Sequence, residues 1–133
     1  MEALSEAQIA RYRQTFQQRH AHQYQAREER RQEALMAIMP FLSTLAAATT
    51  SIQALYLFGS VTQPGQFHLH SDIDIGIVGA TAEDYFRFWR ELESALPEWL
   101  FDVRDVSDDA YFSQRVKETG LLLYERTDPS ATS

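Results

Sequence analysis

A chain of 133 residues has room for one modest hydrophobic core and no separate substrate domain. Its net charge of −7 and isoelectric point near 5.0 leave it without the Lys and Arg excess on which non-specific nucleic-acid binding depends, so a protein partner or small substrate is expected instead. There is no cysteine, which removes disulfides and zinc thiolates, and no long apolar run or amino-terminal signal pattern, so a soluble cytoplasmic protein with no membrane contact is expected.

Ser5 followed by Gln8 reads as a capping box, and no Gly or Pro interrupts the chain from there to Met39. This predicts a long helix over residues 1–39. Some 35 helical residues would span roughly 50 Å, far beyond a compact domain of this size, so part of the helix should project as an interaction element. Ile9, Tyr12 and Phe16 form a short apolar stripe. Residues 17–32 hold few large aliphatics and are dense in Gln, Arg, Glu and His, which reads as a solvated stretch or a polar interface.

Pro40 should kink or restart the helix, after which Phe41, Leu42 and Leu45 rebuild an apolar face that packs on a sheet. Strands are expected over residues 53–58, 73–78 and 99–106. Between the last two, Thr81 and Asp84 head a helix whose buried face is Tyr85, Trp89, Leu92 and Leu96, ended by Pro97. Asp108 or Asp109 should cap a short helix reaching Thr119, and Gly120 should release the chain into a last apolar run at 121–124. Residues 127–133 are small and polar, and disorder is expected there. The catalytic body would then be residues 40–126, an α/β domain with a short mixed sheet and helices covering one face.

The chemistry gathers around two segments. Gly59-Ser60 closes the apolar run Leu55-Tyr56-Leu57-Phe58, and Asp72-Ile73-Asp74 opens the next strand. Residues i and i+2 of a strand project from one face about 6–7 Å apart, so Asp72 and Asp74 converge. Paired carboxylates repel unless a cation lies between them, and Mg²⁺, completed by substrate phosphates, is the ordinary solution. A glycine turn beside them allows backbone N–H groups and the Ser60 hydroxyl to approach phosphate oxygens. Metal-assisted phosphoryl or nucleotidyl transfer is the reading. The competing readings are a plain hairpin turn and a solvent-facing acid pair, but Ile73, Ile75 and Ile77 alternate with Asp72, Asp74 and Gly76. Asp102 and Asp105 compete for a third acidic role. His68 and His70 read as loop residues, and the mixed charges Arg27, Glu28, Glu29, Arg30, Arg31 and Glu33 as a solvated helix face.

The segment Leu57-Phe58-Gly59-Ser60 followed by Ser71-Asp72-Ile73-Asp74-Ile75 resembles the signature of the DNA polymerase beta-like nucleotidyltransferase superfamily. More narrowly, residues 55–78, with Phe67-His68-Leu69-His70 ahead of the acids, are similar to the minimal nucleotidyltransferases that act as antitoxins beside HEPN-type ribonuclease toxins. Phe101-Asp102-Val103-Arg104-Asp105-Val106 fits the third acidic residue that this family carries on a later strand, at Asp102. The likeness spans residues 52–125. It departs from the family after Gly59-Ser60, where many relatives have a basic residue and this chain reads Val61-Thr62-Gln63-Pro64.

The resemblance implies the minimal nucleotidyltransferase fold and an enzyme that transfers AMP from ATP to a hydroxyl of the HEPN toxin, a tyrosine in such pairs. Mg²⁺ would be held by Asp72, Asp74 and Asp102, the triphosphate by Gly59 and Ser60, and the acceptor proton taken by Asp102. Homo-oligomers or a hetero-oligomer with the toxin are both compatible. Two alternatives stay open: an antitoxin that acts by binding alone, and a small-molecule adenylyltransferase of the antibiotic-modifying type.

Overall fold

The capping box at Ser5 starts α1 (Glu6–Ala48), a single helix of 43 residues in the computed structural model, which describes residues 3–107 and 110–127. Ser5 Oγ accepts from Gln8 N at 3.2 Å and Gln8 Oε1 accepts from Ser5 N at 2.8 Å, so two otherwise orphaned donors are satisfied reciprocally. The helix does not restart at Pro40. Pro40 lies on the exposed side, where the carbonyl it leaves without a donor is open to water, while Ile38 and Leu42 on either side are fully buried. Burying two such aliphatics is worth roughly 3–6 kcal/mol, enough to hold the helix through one missing hydrogen bond. The boundary expected at residue 40 is therefore no helix end.

After α1 come β1 (Ala54–Phe58), a 3₁₀ turn at Gly59–Thr62, β2 (Ile73–Val78), α2 (Ala82–Ala95), β3 (Phe101–Asp105), α3 (Ala110–Thr119) and β4 (Leu121–Glu125). The sheet order is β3-β2-β1-β4, with β2 and β3 parallel and the other two pairs antiparallel. The parallel pair needs a crossover, and α2 supplies it. This is the mixed sheet with flanking helices and a long amino-terminal helix that the resemblance implies. The third strand is shorter than the 99–106 expected. Asp108 and Asp109, expected to cap α3, and the tail at 128–133 lie outside the described residues.

Strand alternation divides the sheet into two faces. Leu55, Leu57, Ile73, Ile75, Ile77 and Val103 point to the main core, where Ala34, Ile38, Leu42 and Ala46 of α1 arrive at every fourth position together with Phe88 and Leu92 of α2. Phe88, not read from the sequence as a core residue, is 1 % exposed, whereas Tyr85 and Trp89 sit only half-buried at its edge. The opposite face is not open, as a one-sided arrangement would leave it. There α3 packs on it, with Phe112 edge-on to Phe58 at 5.6 Å and Val106 and Val116 filling the space that Gly76 leaves.

At the end of the sheet where α1 stops, polar groups are paired closely. Arg126 Nε donates to Ile52 O at 3.0 Å and its Nη2 donates to Thr49 O at 3.1 Å and to Ala46 O and Ala47 O at 3.3 Å, a cation placed on the carbonyl end of a helix. Asp84 accepts from Ser51 Oγ at 2.6 Å, which with its neighbours holds its carboxyl below the usual range.

Candidate active site

At the other end of the sheet β1 runs out at Phe58, which pairs with Asp74 across the antiparallel ladder. The next residue, Gly59, takes φ 72°, a left-handed conformation that side chains disfavour, and a Cβ there would lie 2.2 Å from Asp74 Oδ2. Only glycine lets the carboxylate lie against the backbone of the turn. Thr62 Oγ1 donates to Gly59 O at 2.7 Å, and the side chain of Val61 is fully buried, so the Gly59-Ser60 turn is pinned from within.

Asp72 is exposed just ahead of β2, and Asp74 is half-buried one pleat further along. The parallel register then sets Asp102 directly beside Asp74 and Asp105 beside Ile77. Asp102 thus shares the sheet face of Asp74. Asp105 lies three rows away on the other face, where its Oδ1 accepts from Ser107 N at 2.8 Å. The three convergent acids leave a mark on the middle one. Burial first, and then the charges of Asp102 and Asp72, push the Asp74 carboxyl up to about 6 from 3.8, with Arg104 opposing. Arg104 reaches Asp102 Oδ2 with Nη2 at 3.1 Å and Nε at 3.2 Å, and its guanidinium stands 5.7 Å from the centre of the Phe112 ring.

Such a site suits Mg²⁺. The donors are hard oxygens, their mutual repulsion is only partly offset by Arg104, and the turn beside them can face phosphates. Among the described residues no three His, Cys, Asp or Glu side chains already form a metal cage. A cation taken here would have to complete its shell with water and substrate oxygens, which is the habit of Mg²⁺.

Other residues singled out in the sequence sit elsewhere. His68 and His70 are exposed in a turn closed by Ser71 N donating to His68 O at 3.1 Å and His68 N donating to Ser71 Oγ at 2.8 Å. Arg87, the first Lys or Arg after the Gly59-Ser60 turn, pairs with Glu83 at 2.8 Å near the start of α2. The mixed-charge stretch of α1 is not simply solvated. Arg31 Nη1 donates to Val61 O at 3.3 Å, Glu28 Oε2 accepts from Gly65 N at 2.9 Å, and Arg30 stacks on Trp99 at 4.6 Å. Sequence patterning missed these contacts because an i,i+3 Glu-Arg pair looks the same whether it meets water or a loop 37 residues on. No helix among the described residues is long and apolar enough to cross a membrane.

Comparison with known proteins points the same way as the geometry. A chain in a crystal structure of a toxin-antitoxin with AMP-PNP is 28% identical over 68% of this chain and 75% of that chain, with a TM-score of 0.56. One from a mutant of the toxin-antitoxin MntA-HpeT is 26% identical over 67% and 74%, with a TM-score of 0.55. A crystal structure from Shewanella oneidensis, 21% identical over 68% and 71% with a TM-score of 0.50, shares the fold. No curated protein matches. The family described as Polymerase beta, Nucleotidyltransferase matches residues 42–129, which include the glycine turn and all three convergent acids. By that match the chain belongs to the polymerase beta nucleotidyltransferases.

Proposed function

We propose that this chain is a Mg²⁺-dependent nucleotidyltransferase antitoxin that transfers AMP from ATP to a hydroxyl, a tyrosine, of a HEPN-type ribonuclease toxin and so neutralises it. The observation that carries this reading is the register that sets Asp102 beside Asp74, next to a left-handed glycine turn and with the charge of Asp72 acting on the same carboxylate. The likeness to a toxin-antitoxin chain crystallised with AMP-PNP supports ATP as the donor and a toxin as the partner.

In this reading Asp72, Asp74 and Asp102 would hold the metal, which when bound would neutralise phosphate charge. Gly59 and Ser60 receive the triphosphate. The acceptor hydroxyl loses its proton to Asp102 as its oxygen bonds to the α-phosphorus, and the bond from that phosphorus to the bridging oxygen breaks to release pyrophosphate. Arg104 restrains Asp102 and lowers the repulsion the trio must bear. The acceptor hydroxyl would be delivered to these acids by the partner protein.

Neutralisation by binding alone is the second reading, and it is favoured by the exposed helical arm of α1, where Tyr12 and Phe16 are 64% and 71% exposed. Intact-protein mass spectrometry of the HEPN partner separates the two, after co-expression with the wild type or with Asp72→Asn/Asp74→Asn. A mass gain of one or more AMP units that requires the intact acids is expected. An unmodified partner, held and neutralised equally by both forms, would sink the enzyme reading.

A further inference from the structure

The Gly59-Ser60 turn has no cation of its own, since no Lys or Arg occurs between it and Arg87. What holds its far side comes from α1. Arg31 grips Val61 O, one residue beyond Ser60, and Glu28 grips the amide of Gly65. Gly65 is buried with φ 73°, and a Cβ on it would lie 2.1 Å from Cε2 of Tyr24, so the Tyr24 ring closes directly over the loop backbone.

The two charged side chains are themselves locked. Arg31 Nη2 meets Glu28 Oε1 at 2.6 Å and Nε meets Oε2 at 2.9 Å, a two-pronged pair, and Gln32 Nε2 adds a bond to Oε1 at 3.0 Å. The Arg31 side chain is only 12% exposed and that of Glu28 26%. Hydrogen bonds from Arg31 and then Gln32 hold the Glu28 carboxyl down at about 2, so it is an anion at any working pH. The family match begins at residue 42, so Tyr24, Glu28 and Arg31 all lie ahead of it. The contacts join a segment outside the family match to the loop that leaves the proposed phosphate turn.

We infer that Glu28 and Arg31 are positioning residues for nucleotide binding, fixing the backbone of residues 61–65 so that Gly59 and Ser60 face the phosphates. The inference rests on the nucleotidyltransferase reading above. A residue that only stabilised the fold would lower the melting temperature without touching affinity. A residue that sets the turn changes the dependence on ATP while leaving the acids to do their chemistry.

The test is steady-state transfer by the full-length chain with ATP and Mg²⁺ varied, alongside amide hydrogen exchange at residues 61–65. For Glu28→Ala, which removes the acceptor of the Gly65 amide, KM for ATP should rise about 10-fold with kcat within about 2-fold of wild type, and Gly65 should exchange faster. The swap Glu28→Arg/Arg31→Glu restores the pair along the helix but leaves no acceptor for the Gly65 amide and no donor for Val61 O. It should keep the raised KM. An unchanged KM in Glu28→Ala, or a swap that returns KM to wild type, overturns the inference. A wild type that transfers no AMP overturns the nucleotidyltransferase reading itself, and is told apart from failure of the inference alone, in which the wild type turns over and the variant has the same KM.

Discussion

The two ends of the sheet treat charge in opposite ways. At the end where α1 stops, one guanidinium, Arg126, serves four carbonyls, and Asp84 is satisfied by Ser51. At the end where β1 stops, three carboxylates crowd together and the central one is pushed towards its neutral form. The first arrangement lowers the energy of the folded chain. The second raises it, and it persists where it is useful for binding something positive. Stability and proposed activity are thus separated along the strands, and substitutions at the two ends should have opposite signatures.

The largest expected effect is on turnover. Asp74→Asn should lower AMP transfer by about 10³-fold or more, read from initial rates with saturating ATP, while Arg126→Ala should leave the rate per folded molecule unchanged. Loss of activity in the second variant without unfolding would break the separation of the two ends. Next in size, Arg126→Ala should cost about 2–3 kcal/mol in urea denaturation, because several buried carbonyls lose a charged donor at once.

A smaller effect of the opposite sign sharpens the contrast. In metal-free protein Asp74→Asn should stabilise by about 1 kcal/mol, seen as a melting temperature higher by roughly 4 °C. The pH dependence has a fixed sign. Asp74 holds its proton up to about 6 when folded against 3.8 ordinarily. The folded state therefore binds more protons across that window, and its metal-free stability falls as pH rises from about 4 to about 6, then levels. Mg²⁺ affinity should climb over the same window as the proton leaves. Titrations followed by melting temperature with and without Mg²⁺ check both slopes, and a flat metal-free curve would contradict the crowding of the acids.

The smallest stability effect belongs to the arm. Residues 7–27 carry Arg11, Arg13, Arg19 and Arg27 and no acid, and residues 3–22 are exposed throughout. Removing residues 1–21 should change stability by less than about 0.5 kcal/mol while weakening capture of the proposed HEPN partner in a pull-down. Undiminished capture would remove the arm from the interface. A deletion reaching residue 32 is a poorer experiment, since it also removes Tyr24, Glu28 and Arg31 from the Val61–Gly65 loop.

Much of this architecture is legible in the sequence where the signal is local. The Ser5–Gln8 and Thr81–Asp84 caps, the alternation of Ile73, Ile75 and Ile77, and the Asp72/Asp74 spacing are all determined within a few residues, and the structure has the corresponding elements. What sequence patterning misses is non-local. Whether Pro40 ends a helix depends on what holds Ile38 and Leu42, and whether Glu28 faces water depends on where Gly65 lies. The choice of neighbour for Asp74 is likewise a matter of strand register. Local spacing alone allowed both Asp102 and Asp105, and the parallel pairing of β2 with β3 sets Asp102 beside it.

No glycine occurs anywhere in α1, and the one helix runs from the exposed arm past Gly65 and down the core face of the sheet. Helical rise is about 1.5 Å per residue, so the stretch from Glu6 to Gln23 is a rod of roughly 27 Å with no hinge between it and the loop beside the acids. It behaves as a ruler. Whatever grasps it at Phe16 or Tyr12 is held at a set distance and rotation from Asp74, and shortening the rod by two residues would turn the grip by about 200° while moving it only about 3 Å.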